Sequence, residues 1–177
     1  MRGVADVAVR AARAGDVPEI ARIQVDTWRT AYRRFVPESV LAALDVTAAA
    51  QAWADAIVSP PSPAHHVLVA TEGTDTVGFV GVGPSEEEDA RPGEAAVVAL
   101  LVEPRWGRRG HGSRLLAATV DLWRADGFGS AVAWAYDADP AMQKFLGASG
   151  WAPDGASRAL DIDDMLVPQI RMHVGLS

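Results

Sequence analysis

Glycine and arginine are concentrated in one short segment whose composition suits the binding of phosphate. The segment is Gly107-Arg108-Arg109-Gly110-His111-Gly112, followed by Ser113. Glycine lets backbone N–H groups turn toward a ligand and lets that ligand come close. A helix starting at His111 would add free N–H donors and roughly half a positive charge. Because Arg108, Arg109 and Arg114 can add charge-assisted hydrogen bonds, the segment predicts a site for a small anionic group.

Two common phosphate-binding motifs are excluded at this segment. A P-loop requires Gly-x4-Gly-Lys-Ser/Thr, and no such string occurs in the chain. A dinucleotide-binding turn requires Gly-x-Gly-x-x-Gly, but Leu115 stands where the third glycine after Gly110 and Gly112 would fall. The anion site therefore belongs to another type of strand–loop–helix unit.

The composition of the chain limits its partners. It has 177 residues, 22% of them charged, and a formal net charge of −7, which argues against a general nucleic-acid binder because such proteins need a basic face. All 16 Lys and Arg residues except Lys144 are arginine. The absence of cysteine removes disulfides, thiol nucleophiles and cysteine-ligated metals. No pair of histidines has the spacing of metal ligands, so no metal is expected.

A cytoplasmic location is also predicted. The longest apolar run, residues 95–102, is too short to cross a membrane. The N-terminal residues 1–6 do not begin the apolar core of a signal peptide. We therefore expect one domain over residues 1–177 that contacts neither a membrane nor a nucleic acid.

The surrounding elements place the glycine and arginine segment at the end of a buried strand. Residues 95–102 are apolar on both faces, which is typical of a central strand, and residues 111–126 repeat apolar side chains at helical spacing. Further helices are predicted over residues 17–33, 37–44, 47–58 and 140–148, and further strands over residues 66–71, 76–82, 131–136, 158–162 and 169–174. This order predicts a mixed α/β domain around one sheet.

The end of the strand and the loop resemble the pyrophosphate-binding loop of the GNAT superfamily, the acetyl-CoA-dependent N-acetyltransferases. The strand of that family ends in Val-x-Pro, as Val102-Glu103-Pro104 does here. The family loop reads Gln/Arg-x-x-Gly-x-Gly/Ala, and residues 107–112 match it except that Gly107 replaces Gln or Arg.

Residues 139–151 resemble a second signature of the same family. The matching residues are Phe145, Gly150 and the aromatic Trp151. Asp139, Met142 and Leu146 stand where the family has Asn, Ala and Tyr. Residues 28–33 and 150–155 resemble one bacterial branch of these enzymes, so the resemblance extends over residues 9–174.

The resemblance implies an α/β (α+β) fold with a central mixed sheet of about six to seven strands and about four flanking helices. Its fourth and fifth strands splay into a V that holds acetyl-CoA as a co-substrate. The residues implied in binding acetyl-CoA belong to the fourth strand, the loop and the second signature: Leu100, Leu101, Val102, Arg108, Arg109, Gly110, His111, Gly112, Ser113, Asp139 and Phe145.

The implied activity is the transfer of an acetyl group from acetyl-CoA to a primary amine of a small molecule or a peptide by direct attack. The leaving thiolate needs a proton, and family members often supply it from a tyrosine at the position held here by Leu146. Because leucine has no proton to donate, Tyr136 is the first candidate for the acid and Tyr32 the second. The chain contains no other tyrosine.

The base that frees the amine is less constrained by the resemblance. The family often places a glutamate on the central strand, where this chain has Ala96. Glu94 lies two residues earlier and shares a strand face with that position, unless a bulge breaks the alternation. The open alternatives are Asp26, Asp137 and a water chain. His65 and His66 are interpreted as a strand entrance, because neighbours on a strand point to opposite faces and cannot serve one site together.

The acceptor amine is expected to enter beside the first two helices and the loop of residues 84–92. Trp28, Arg29 and Tyr32 would line this entrance, and Arg29 or Arg33 would bind an acceptor carboxylate. The acidic residues 86–89 are interpreted as a solvated loop, with attraction of a cationic amine as the alternative. A homodimer is left open.

A second class of function fits the same residues. A chain that keeps the CoA loop but has leucine at position 146 would also suit an acyl-CoA-binding sensor, or a catalytically idle partner in an assembly. Both readings require acetyl-CoA to bind at residues 108–113. They differ in whether any amine is turned over.

Overall fold

The computed structural model describes residues 6–177. Of the N-terminal residues 1–6 that were compared with a signal peptide, all except Asp6 lie outside the described residues. The strands are β1 (Val7–Ala11), β2 (His66–Glu72), β3 (Asp75–Pro84), β4 (Glu94–Val102), β5 (Ser130–Tyr136), β6 (Ala152–Ile162) and β7 (Met165–Gly175). The helices are α1 (Val17–Ala31), α2 (Glu38–Ala42), α3 (Val46–Val58), α4 (His111–Ala125) and α5 (Pro140–Ala148). Over the described residues there are thus five α-helices, one more than the resemblance implied.

All seven strands form one mixed sheet in the order β1-β2-β3-β4-β5-β7-β6. Neighbouring strands run antiparallel except β4 and β5, which are parallel. The β4–β5 pairing is limited to three register pairs, from Glu94 with Ser130 to Ala96 with Val132. Beyond Ala96 the two strands diverge, so the predicted V between the fourth and fifth strands is confirmed.

A β-bulge interrupts β4 inside the V. Gly81 pairs with Ala99 and Val82 pairs with Val97, so Val98 is an extra residue on β4. Such a residue breaks the strict alternation of side chains along a strand. The side chain of Val98 is 74% exposed although it belongs to the central strand of the sheet.

Helices cover both faces of the sheet and bury two apolar clusters. On one face α1 and α3 pack on the sheet through Ile20, Ile23 and Trp53, which contact Phe79 and Leu101. On the other face α4 and α5 are buried through Leu115, Leu116, Trp123 and Leu146, together with Leu100 and Trp151. Because β4 contributes to both clusters, its position is fixed from both sides.

The helix ends beside the V follow from local sequence. Asp139 caps α5 by accepting a hydrogen bond from the backbone N–H of Met142 at 3.2 Å. Gly110, with φ of +81°, precedes α4, and Gly127, with φ of +86°, follows its last turn. Both glycines adopt the left-handed conformation that other residues rarely take. α4 therefore begins at His111, as predicted, and points its N-terminus at the end of β4.

Candidate active site

The V between β4 and β5 opens into a continuous cleft with two chambers. The loop chamber, about 440 Å³ in volume, is bounded by the end of β4, the loop of residues 104–110 and the first turns of α4 and α5. The outer chamber, about 540 Å³, is bounded by α1, the middle of β4, β5 and the loop after β3. The residues that border both chambers are Tyr32, Leu100, Leu101, Asp139 and Met142.

Most of the residues predicted to bind acetyl-CoA line the loop chamber. They are Leu100, Leu101, Val102, Arg108, Gly110, His111, Gly112, Ser113, Asp139 and Phe145. Arg109 is the exception, because its side chain turns away: Nη1 donates to Oε1 of Glu72 at 2.7 Å and the guanidinium lies 5.0 Å over the ring of Trp106. The side chain of Arg109 therefore braces the loop from outside the chamber.

Backbone geometry makes the loop chamber a site for an anion. Arg108, with φ of +61°, and Gly110 both adopt the left-handed conformation, and in the described part of the chain no side chain caps the N-terminus of α4. The first helical hydrogen bond runs from the N–H of Arg114 to the carbonyl of Gly110 at 3.0 Å. The N–H groups that precede Arg114 are therefore free for a ligand at the positive end of the helix dipole.

The arginine side chains around the loop have different roles. Arg108 lines the chamber. Arg114 donates from both Nη atoms to the carbonyl of Arg109, at 3.1 and 3.0 Å, and so closes the loop on itself. Of the three arginines proposed from the sequence to contact an anion, Arg108 is the one whose side chain lines the chamber.

His111 ties the loop to the sheet. Its side chain is 1% exposed, and Nε2 lies 2.7 Å from Oε2 of Glu72, the last residue of β2. The hydrogen bond with His111, aided by the charge of Arg109, lowers the pKa of the Glu72 carboxyl. Glu72 is thus ionised at neutral pH and holds both His111 and Arg109 in place.

The wall of the loop chamber contains a closely packed glycine and, over the described residues, two unpartnered polar atoms. A Cβ on Gly112 would lie 3.3 Å from Cζ of Phe145 and 3.8 Å from Cγ2 of Val102. Glycine therefore lets α4 pack closely against Phe145 and Val102. Two buried polar atoms at the wall, Oγ1 of Thr27 and Nε1 of Trp106, have no hydrogen-bond partner among residues 6–177. Buried polar atoms without partners are rare, so these two atoms are exceptions within the wall.

Aromatic rings converge where the two chambers meet. Tyr32 contacts Trp28 and Phe35, each at a centroid distance of 5.1 Å, and the ring of Phe35 lies 4.9 Å from that of Tyr136. Burial raises the pKa of the Tyr32 phenol well above its ordinary value, and the negative charge of Asp139 adds to this effect. Burial also raises the pKa of Tyr136, while the charge of Arg158 acts in the opposite direction. Both phenols therefore keep their protons at neutral pH.

Sequence reasoning missed a polar group on the wall of the outer chamber. Trp134 donates its indole N–H to Oε1 of Glu87 at 2.6 Å, and the guanidinium of Arg158 stacks 4.1 Å from the Trp134 ring. Nε of Arg158 donates to Oε1 of Gln169 at 2.7 Å. The signal available in the sequence was the alternation of Trp134 with Tyr136, but their partners come from distant segments.

The acidic loop after β3 is exposed at Glu86, Glu88 and Asp89, as expected of a solvated loop, and it is also anchored by ion pairs and hydrogen bonds. Arg171 forms a bidentate ion pair with Asp89, at 2.7 and 2.8 Å, and also donates to Asp154 at 2.6 Å. Glu87 accepts the hydrogen bond from Trp134, and Glu86 borders the outer chamber. The loop is thus a fixed wall of the cleft.

Two residues proposed from the sequence lie outside the cleft. Glu94 is 7% exposed, borders neither chamber and pairs with Ser130, so it lies six residues, or roughly 20 Å, along β5 from Tyr136. The structure therefore does not bring Glu94 and Tyr136 together. Arg29 donates to the carbonyls of Leu41 and Leu44, at 3.4 and 2.8 Å, and so fastens the end of α2 to α1.

The described chain offers no metal cluster. Within residues 6–177, no group of three or more His, Asp or Glu side chains lies close enough to hold a metal ion. Over the same residues, no helix combines the length and apolarity needed to cross a membrane.

The acceptor entrance predicted from the sequence lies at the outer chamber for two of its residues. Trp28 and Tyr32 both border that chamber.

Comparison with known proteins agrees with this fold and cleft. The model of the Acetyltransferase (GNAT) family matches residues 20–151. A relative from Bacillus subtilis (strain 168), described as the uncharacterized N-acetyltransferase YuaI, is 30% identical over 138 residues, which cover 77% of this chain and 75% of YuaI.

Solved structures show the same fold at low sequence identity. The PaiA N-acetyltransferase from Thermoplasma acidophilum, in complex with coenzyme A, aligns with a TM-score of 0.79 and 13% identity over 96% of this chain and 99% of that one. YncA from Salmonella typhimurium, a putative acetyltransferase with its cofactor acetyl-CoA, aligns with a TM-score of 0.73 and 18% identity over 97% of this chain and 95% of that one.

The fold and the cleft define an N-acetyltransferase domain. The mixed sheet splays between its fourth and fifth strands, and the fold aligns with that of the solved acetyltransferases over nearly the whole chain. The family match over residues 20–151 identifies it further: the chain belongs to the GNAT family of acetyltransferases.

Proposed function

We propose that this protein transfers the acetyl group of acetyl-CoA to the primary amine of a small molecule or a peptide by direct attack. The observation that carries the proposal is the continuity of the cleft. The anion site at the start of α4 leads through the splayed strands into the outer chamber, and Tyr32, Leu100 and Leu101 border both. A cofactor bound at the loop would thus present its far end to a second substrate.

Binding of acetyl-CoA is assigned to the loop chamber. The amides of residues 108–113 and the side chain of Arg108 would hold the pyrophosphate, because they combine free N–H donors with positive charge. The main chain of Leu100, Leu101 and Val102 would pair with the pantetheine arm, since within residues 6–177 β4 has no strand partner on the β5 side there. Phe145 and Asp139 complete the wall. When bound, acetyl-CoA supplies the activated acetyl group.

The phenols of Tyr32 and Tyr136 are proposed as the source of the proton that the leaving sulfur needs. Leu146 is 2% exposed and borders the cleft, and it has no proton to give. Tyr136 is the candidate favoured by the sequence. Tyr32 borders both chambers, whereas Tyr136 borders the outer one, so the geometry favours Tyr32 for an atom that lies where the chambers meet.

The outer chamber is proposed as the acceptor site, lined by Trp28 and Tyr32 as the sequence predicted. Its wall also carries Glu86 and Arg158, so it can contact acceptors with charges of either sign. A cytoplasmic location and a homodimer stay predictions.

A second function is favoured by one observation, the leucine at position 146. An acyl-CoA-binding sensor or an idle partner would need the loop chamber and would not need a proton donor. The two functions are separated by measuring thiol release from acetyl-CoA with a panel of amines, alongside calorimetric binding of acetyl-CoA. Thiol release that requires both substrates supports the enzyme. Tight binding without turnover of any amine would favour the sensor.

A further inference from the structure

An amine acceptor requires a proton acceptor in the outer chamber. A lysine-like amine has a pKa of about 10.4 in water, so at neutral pH it arrives as an ammonium ion and must lose a proton before it can attack. This requirement rests on the proposed function. The question is which side chain on the chamber wall is free to take that proton.

Most carboxylates near the chamber are engaged elsewhere. Oε1 of Glu87 accepts the Trp134 indole N–H at 2.6 Å and lies 3.8 Å from Nη1 of Arg158. Asp139 caps α5 through the N–H of Met142. Glu94 borders neither chamber. Among residues 6–177, the other carboxylate and imidazole groups on the wall are those of Glu86 and His65.

Two small residues make room for the imidazole of His65. His65 directly precedes β2 and lies beside Gly83, because the next residue, His66, pairs with Val82. A Cβ on Gly83 would lie 2.7 Å from Cδ2 and 3.0 Å from Nε2 of His65. The register partner of Gly83 on β4 is Ala96, whose side chain is a single methyl group. The ring thus lies flat against the sheet at the edge of the cleft.

One nitrogen of the His65 ring is held by a hydrogen bond, and the other has no partner among the described residues. Nδ1 of His65 lies 2.8 Å from Oγ of Ser62, which also accepts a hydrogen bond from the N–H of Ala64 at 3.2 Å. Within the described part of the chain, Nε2 of His65 has no hydrogen-bond partner. The adjacent His66 differs, because its Nε2 lies 2.8 Å from Oδ2 of Asp126 on the other side of the sheet.

We infer that His65 is the general base of the transfer and takes a proton from the acceptor amine through Nε2, directly or through one water. The ammonium loses one proton to the imidazole, which becomes imidazolium. The nitrogen lone pair then forms the C–N bond, the thioester C–S bond breaks with its electron pair on sulfur, and the thiolate takes a proton from a tyrosine. The amide nitrogen loses its second proton, which restores the tyrosine through solvent, and the imidazolium releases its own proton to solvent.

Other charged groups around His65 bear on its pH dependence. Across the outer chamber are Tyr32, Glu86, Glu87, Tyr136, Asp139 and Arg158. His65 also borders two further cavities. The ionisable residues that line them are Asp55 on α3, Arg10 on β1, His66 on β2 and Asp121 on α4. Among these groups Glu86 is the alternative base, so the test includes it.

The test compares His65→Gln with His66→Gln in the thiol-release assay, with the amine that the wild-type protein turns over fastest. Glutamine is an uncharged side chain that cannot act as a base. We expect His65→Gln to lower kcat/KM for the amine by roughly 10²–10⁴-fold and to change the dependence of that rate on pH. Its acetyl-CoA Kd should stay within about twofold of wild type. His66→Gln should keep both the rate and the pH profile.

A wild-type rate in a folded His65→Gln variant overturns the role, and so does a change of the pH dependence in Glu86→Gln instead. If His65→Gln does not fold, His65→Asn takes its place in the same assay, because the asparagine side chain is smaller than that of glutamine and crowds Gly83 less. Absence of turnover by the wild-type protein with every amine refutes the proposed function and His65's role together. Turnover that survives loss of His65 refutes His65's role alone, so the two failures are distinguishable.

Discussion

Tyr32 and Tyr136 meet edge to face across the cleft, with ring centroids 5.6 Å apart and ring planes at 66° to each other. One lies just past α1 and the other ends β5, so the contact joins a helix on one face of the sheet to the far side of the V. These are the two tyrosines of the chain. Because Leu146 has no proton to donate, they are the two candidates for the acid.

The first prediction separates the two phenols. Tyr32→Phe should lower kcat by roughly 10²–10⁴-fold, because it removes the acid beside both chambers while keeping the ring contacts. Tyr136→Phe should lower kcat by less than about tenfold. Steady-state kinetics and acetyl-CoA Kd, measured for each variant, check this. The reverse order of effects would return the acid role to Tyr136, and two fully active variants would mean that water protonates the thiolate.

The second prediction concerns the left-handed glycine before α4. Gly110→Val should weaken acetyl-CoA binding by roughly 10- to 100-fold, because a β-branched residue at φ of +81° costs on the order of 1–3 kcal/mol and its Cβ would lie 2.7 Å from Nη1 of Arg114. Gly127→Val is the matched control. It places the same strain at the other end of α4, where nothing lies within 4 Å of the added Cβ.

Calorimetry distinguishes the two glycine variants. Both should lose thermal stability, but Gly127→Val should bind acetyl-CoA as the wild-type protein does. Equal affinity in Gly110→Val and wild type would contradict the assignment of the loop chamber to the pyrophosphate.

The third prediction tests the acceptor entrance. Trp28→Ala should raise the KM for the amine several-fold without changing acetyl-CoA affinity, because Trp28 borders the outer chamber and not the loop chamber. Arg29→Ala should leave that KM unchanged and lower the Tm, since Arg29 bonds to the carbonyls of Leu41 and Leu44. An acceptor KM that responds to Arg29 and not to Trp28 would place the acceptor elsewhere.

The fourth prediction is a dependence of stability on pH. Oδ1 and Oδ2 of Asp16 accept hydrogen bonds from Arg10 at 2.9 and 2.7 Å, and the Arg13 N–H donates to Oδ2 at 2.7 Å. The hydrogen bonds from Arg10 hold the pKa of the Asp16 carboxyl below its ordinary value. The folded state thus binds this proton more weakly than the unfolded state, so the stabilisation is complete above the ordinary pKa of about 3.9 and is lost as pH falls through the folded value.

Urea unfolding at several pH values measures this effect. At pH 7, Asp16→Asn should lower the free energy of unfolding by about 1–3 kcal/mol, and the difference from wild type should shrink below about pH 4. Asp26→Asn is the control on α1, because Asp26 is 53% exposed and its ion pair with Arg22 spans 3.4 Å. Its effect should stay below about 1 kcal/mol at every pH. A gap for Asp16→Asn that widens in acid would contradict the assignment.

Local patterns predicted most of the elements but missed β1 (Val7–Ala11), and proline explains why two predicted strands were too short. The strand predicted over residues 158–162 extends back to Ala152, because Pro153 lies on an edge strand beside a register shift that runs from Pro153 to Ser157. The strand predicted over residues 169–174 begins at Met165, because Pro168 lies beyond the end of β5 and only its carbonyl is needed there, by the N–H of Asp137. In both cases the exception depends on which strand lies alongside, and no local pattern contains that information.

The two chambers also differ in how much of their lining could be predicted from the sequence. Much of the loop chamber comes from the continuous segment of residues 100–113, so the motif located that part from the sequence. The outer chamber combines His65, Glu87, Trp134 and Arg158 from four separate segments. Arg29 and Glu94 were assigned from sequence neighbourhood, and each has its contacts outside the cleft. Predicting this wall requires knowing how β6 and the loop after β3 fold over β5.

The short pairing between β4 and β5 has a consequence for the whole sheet. Three register pairs join a half made of β1 to β4 to a half made of β5, β7 and β6. A pantetheine arm hydrogen-bonded in the V would link these two halves of the sheet. Acetyl-CoA would then stabilise the sheet in addition to being a reactant. Each catalytic cycle would remove this link when CoA leaves. Amide protons of residues 97–102 should then exchange more slowly with acetyl-CoA bound, in step with its occupancy.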